Sequence, residues 1–160
     1  MDWINEKAKT LRQGAIRAMF DKASTMDNVI SMGIGEPDMA TPELVCRAGN
    51  EALEKGITHY TPNAGTPALR RAIAEKSNLK GVGYDPTTEI IITNGGMGAL
   101  SLLFLVLLNP GDEVLIPTPC WVSYPEIVRI VGGVPVLVQG DAKKGFVTEA
   151  EDLAPYVTER

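Results

Sequence analysis

Residues 89–104 read EIIITNGGMGALSLLF, and this stretch decides the fold. Glu89–Thr93 is rich in β-branched residues and predicts a buried strand. Ala99–Leu108 is apolar on every side and predicts a buried helix. Between them lies Asn94-Gly95-Gly96-Met97-Gly98. A glycine-rich junction of strand and helix has two explanations. One is a tight turn that needs positive φ. The other is an anion site, where bare backbone N–H groups and a helix N-terminus meet a phosphate. These residues alone leave both open.

Working outward, a helix is predicted over 97–108 and stopped sharply by Asn109-Pro110-Gly111-Asp112. Strand 113–117, helix 121–131 and strand 134–138 follow. Strand, helix, strand, helix, strand is the alternation of an α/β fold with parallel strands and right-handed crossovers. Asp152–Val157 begins a further helical segment. Upstream, Thr10–Met26 predicts an amphipathic helix with Leu11, Ile16, Met19 and Phe20 inward. Thr41-Pro42 and Thr66-Pro67 repeat one helix-start signal, a hydroxyl cap before a first-turn proline. Tyr60–Gly65 is a loop. Three strands this apolar call for cover on both faces. The expectation is therefore the first part of a larger, incomplete domain.

The chain has 160 residues, 44% hydrophobic and 22% charged, with a net charge of −5 and no basic block. That balance argues against a nucleic-acid partner. Cys46, Cys120 and the single His59 lack metal-site spacing, so no metal is expected and the cysteines read as reduced. The opening MDWINEKAKTLRQ has no apolar core of the kind a secretory leader carries. The longest apolar run of the sequence, Ala99–Leu108, is about ten residues, too short for a bilayer. The expectation is a cytoplasmic protein with no membrane partner.

Three anion chemistries can be tried on the glycines. A nucleotide-triphosphate loop needs Lys-Ser or Lys-Thr after them, and neither is present. A dinucleotide site wants an acid near the end of the next strand. Here that strand ends Ile116-Pro117-Thr118-Pro119, and Asp112 and Glu113 lie at its other end. A cofactor with one phosphate and a flat ring needs N–H donors and an aromatic face. Gly95, Gly96 and Met97 supply donors, and Trp121 stands just past the next strand, where ligands of parallel sheets bind. Core packing is the competing role for Trp121.

Four ordered blocks then carry a resemblance. They are Met32–Asp38 (MGIGEPD), Tyr60–Gly65 (YTPNAG), Thr93–Leu100 (TNGGMGAL), and Asn109–Val114 (NPGDEV) running on to Trp121–Pro125 (WVSYP). In this order the chain resembles the class I/II aminotransferases, pyridoxal-phosphate enzymes of fold type I, over nearly all of residues 10–160. The resemblance implies an α/β chain whose residues 1–40 belong to a small domain and 41–160 to the first part of the large cofactor-binding domain. It implies that Gly95, Gly96 and Met97 hold the phosphate of pyridoxal 5'-phosphate and that Trp121 stacks on its ring. Many members have a polar residue where Met97 stands, which leaves that position only its backbone N–H. Ile34 and Gly35 would meet the substrate carboxylate, and Tyr60 would reach the phosphate of a neighbouring subunit in a homodimer.

The implied reaction moves an amino group between an α-amino acid and a 2-oxo acid. A β-lyase or synthase on the same scaffold, and a non-catalytic module for a phosphate-bearing ligand, are the alternatives. The family's lysine, its acid for the pyridine nitrogen and its carboxylate-binding arginine come later than the region matched here. Residues 1–160 alone are therefore expected to be inactive.

Overall fold

The structure is a computed structural model that describes residues 3–5, 9, 15–30, 32, 33, 35, 37–78 and 80–160. Helices α1 (Ala15–Ala23), α2 (Glu43–Glu54), α3 (Pro67–Asn78) and α4 (Gly95–Leu107) precede strand β1 (Glu113–Thr118). Helix α5 (Ser123–Val131), strand β2 (Val134–Gln139) and a short helix α6 (Ala150–Leu153) complete the order. The chain forms two compact units, residues 34–95 in one and residues 1–33 with 96–160 in the other.

In the second unit β1 and β2 pair in parallel, with Glu113 opposite Val134 and Thr118 opposite Gln139. A parallel pair cannot be closed by a hairpin, so α5 carries the chain back. Its apolar side supplies Ile127 and the fully buried Val128, which join Ile116 of β1 and Val138 of β2 as buried core residues. After β2, Asp141 caps a 3-10 turn over Ala142–Lys144 by accepting from Lys143 N at 2.8 Å. At α6 the backbone N–H of Glu149 donates to Asp152 at 3.0 Å, and the ammonium of Lys144 stands 3.0 Å from the same carboxylate.

Three expectations need correction. Residues 89–93 form no strand. Among the described residues their one long-range backbone bond runs from Ile92 N–H to Ala64 O, at 3.0 Å. β-branched composition favours extended backbone but does not supply a partner strand. Ile90 is nonetheless buried and Ile91 exposed, so the alternation of an extended segment persists. Second, α4 is not buried: Leu102, Leu103, Leu105, Leu107 and above all Val106, at 82% exposure, face outward. An all-round apolar helix has no polar side to show, and the described residues cover only part of its surface. Third, Met19 is largely exposed and Phe20 half-exposed, though with Val29, Ile30 and Met32 they line a small apolar pocket beside α1. The side chains of Leu11 and Ile16 lie outside the described residues.

The twin start signals also part company. Thr66 Oγ1 accepts from Leu69 N at 3.4 Å, whereas Thr41 makes no capping bond and α2 begins one residue past Pro42.

Ile116→Ala should lower stability by about 2–5 kcal/mol in urea denaturation, because the cavity opens inside the buried cluster. Leu105→Ala, on an exposed face, should change it by less than ~0.5 kcal/mol. The bond from Glu149 N–H, then the Lys144 ammonium, hold the Asp152 carboxyl below its ordinary value of 3.8. Its contribution is therefore complete above that value and lost as pH falls through the lowered one. An NMR titration should place the Asp152 midpoint under 3.8, and Lys144→Ala should raise it only part of the way back, because Glu149 N–H remains.

Candidate functional site

The site begins at the first turn of α4. The helix starts at Gly95, two residues earlier than expected, so both glycines and Met97 are themselves first-turn residues. Their N–H groups have no carbonyl one turn earlier to bond. Gly95 N–H turns back to Thr93 O at 2.9 Å, and Thr93 Oγ1 donates to Gly95 O at 2.9 Å. No acceptor among the described residues meets the N–H of Gly96 or Met97. Aligned peptide dipoles add a partial positive charge at the same end.

The two glycines differ. Gly95 has φ +73°, a left-handed conformation that a side chain strains. Gly96 has no such φ, and a Cβ built on it meets no atom within 4 Å. Gly95 is thus explained by the turn, and nothing inside the described chain explains Gly96.

β1 delivers the second part. The strand ends at Thr118, the Thr118–Pro119 peptide is cis, and Cys120 and Trp121 follow at the carboxyl end of the parallel pair. Trp121 is half-exposed. It shares a cavity of about 560 Å³ with Leu100 and Phe104 of α4, Ile116 of β1, Cys120 and Tyr124. Met97, Leu100 and Phe104 follow the spacing of one helix face, so Met97 stands one turn above the cavity wall. The wall is apolar and includes no lysine, arginine or carboxylate.

The remaining sequence-predicted residues belong to unit 34–95 and are not part of that wall. Tyr60 is fully exposed, and Gly35 has open space where a Cβ would stand. Ile34 lies outside the described residues. Sequence reasoning missed Leu100, Phe104 and Tyr124 as cavity residues. The Met97-Leu100-Phe104 spacing was the available signal for two of them, masked by the surrounding run of leucines.

The donor set fits a group with one phosphate and a flat ring: two free amides at a positive helix end, and an indole face over an apolar cavity. A family model for aminotransferase class I and II matches residues 27–160. The chain belongs to the class I and II aminotransferases. It is 42% identical over 162 residues to an aspartate aminotransferase of Geobacillus stearothermophilus, covering 98% of this chain and 41% of that protein. It is 40% identical to aromatic-amino-acid aminotransferase 2 of Thermococcus litoralis, covering 97% of this chain and 40% of the relative. The solved aspartate aminotransferase from Thermus thermophilus with maleate superposes with a TM-score of 0.91 at 39% identity, over 99% of this chain and 42% of that one. The architecture is therefore that of a fold type I enzyme, and the chain spans about two-fifths of the length of these relatives.

Opposite effects are expected of the two glycines. Gly95→Ala should destabilise by about 1 kcal/mol through its left-handed φ. Gly96→Ala should be neutral or stabilise by up to ~1 kcal/mol, since alanine is the better helix former. Paired urea melts check this, and equal losses would mean that Gly96 too is held by its own chain.

Proposed function

We propose that the protein is a pyridoxal-5'-phosphate-dependent aminotransferase that moves an amino group between an α-amino acid and a 2-oxo acid. One observation supports this most directly: Gly96 is bare without internal cause, at a helix end whose next two amides are free. In this reading Gly95, Gly96 and Met97 bind the phosphate, and the Trp121 indole lies against the ring and excludes water from one face. Ile34 and Gly35 approach the substrate carboxylate. The full exposure of Tyr60 suits a residue that is covered only by a second copy, whose phosphate it would reach in a homodimer. Residues 1–40 serve a small domain and 41–160 the large one. No helix among the described residues is long and apolar enough to cross a membrane, and we place the protein in the cytoplasm.

When bound, pyridoxal phosphate supplies an electron sink for the bond broken at the substrate α-carbon. The chain's own residues bind and orient. Proton transfer needs a lysine, and the cavity wall contains none. The relatives named above are aminotransferases, and the β-lyase, synthase and binding-module alternatives draw no support from them. Their names point to dicarboxylic and aromatic amino acids as the substrates to try first.

The protein at its full encoded length should convert L-aspartate or an aromatic amino acid plus 2-oxoglutarate to glutamate. Trp121→Ala should lower kcat/KM by about 10–100-fold through loss of ring positioning. Ammonia release without a new amino acid would overturn the assignment. Residues 1–160 alone should give no glutamate, and borohydride reduction with pyridoxal phosphate should trap no single lysine.

A further inference from the structure

The cavity beside Trp121 lies wholly within the unit that includes residues 96–160. Its wall carries three polar side-chain groups: the Cys120 thiol, the Trp121 indole N–H and the Tyr124 hydroxyl. Tyr124 is half-buried, and its hydroxyl has no hydrogen-bond partner among the described residues. Its backbone is firmly placed. Tyr124 N–H donates to Trp121 O at 3.1 Å, so one turn holds the two aromatic residues. α5 starts at Ser123, Pro125 follows with its φ set by the ring, and the next turn buries Ile127 and Val128. Tyr124 is thus carried by a helix packed on the core, not by a loose loop.

We propose that Tyr124 is a specificity-determining residue of this cavity: its hydroxyl selects, among flat rings that carry a phosphate, those with a hydrogen-bonding edge. This rests on the reading of Gly95, Gly96 and Met97 as phosphate donors and of Trp121 as the stacking face. An indole face accepts any flat ring and cannot tell one edge from another. A hydroxyl can. While the cavity is open, water satisfies it. A ring that covers the wall removes that water and must supply a partner or leave the hydroxyl unpaired. A ring edge with a nitrogen or a hydroxyl supplies one, and a hydrocarbon edge does not. The wall therefore discriminates mainly by penalising the ring that lacks a partner.

The test uses cofactor-free protein at its full encoded length, titrated by calorimetry with two ring probes. Pyridoxamine 5'-phosphate has the cofactor's ring nitrogen and hydroxyl, and no aldehyde to react with a lysine. Benzyl phosphate has a flat ring and a phosphate but a hydrocarbon edge. The natural sequence should prefer pyridoxamine phosphate. Tyr124→Phe keeps the aromatic ring and removes only the hydroxyl, and it should lower the ratio of the two affinities by about three- to tenfold. An unchanged ratio overturns the inference, whether both affinities hold or both fall together. Inorganic phosphate separates the two readings: if it binds the natural sequence and Tyr124→Phe alike while the ratio is unchanged, the phosphate site stands and the Tyr124 role falls. If the natural sequence binds neither inorganic phosphate nor pyridoxamine phosphate, the site and this inference fall together. Should Tyr124→Phe lose all three ligands, the natural sequence decides by itself: equal affinities for the two ring probes overturn the inference, and a preference for pyridoxamine phosphate supports it.

Discussion

The parallel pairing of β1 with β2 is the constraint on which the rest of its unit depends. Parallel strands must be joined by a crossover, so the chain leaves the end of β1 on a loop and returns through α5. The loop is therefore forced to stand at the carboxyl end of the pair, and Trp121 stands there because it belongs to the loop. Val128, Ile127, Ile116 and Val138 are buried by the same crossover, so packing and placement of the indole have one cause.

The first turn of α4 supplies a charge that no side chain carries. Free amides of a helix end are directed, cannot be titrated near neutral pH, and gain from the summed peptide dipoles. Gly96 is bare although a Cβ built on it would meet no atom of the described chain within 4 Å. The cavity below, lined by Trp121, is apolar and includes no titratable side chain other than the Cys120 thiol and the Tyr124 hydroxyl.

Residues 89–93 show how far composition reaches. Their β-branched run gives an extended, alternating segment, with Ile90 in and Ile91 out. What they lack is a ladder, because pairing needs a second segment and none among the described residues supplies it. The same holds for α4, whose leucines point outward from the part of the chain that is described. Tyr60 is a third case: an aromatic ring that its own unit does not cover.

Local chemistry read from the residues set the α/β alternation, the helix stops, the parallel character of the 113–139 region, and the position of the glycine junction and the tryptophan. Those features follow from periodicity, turn residues and chain connectivity, all of which act over a few positions. Tertiary structure alone decided that Gly95 is needed for its φ while Gly96 is not, that Thr66 caps and Thr41 does not, and that Leu100, Phe104 and Tyr124 wall one cavity with Trp121. It also decided that Gly65 has no room for a Cβ, because Ile92 stands there. Each of these depends on a distance between atoms separated along the chain, or on a backbone angle that two identical residues do not share. Two adjacent glycines are the same letter, and only the path of the backbone between Thr93 and Met97 tells them apart.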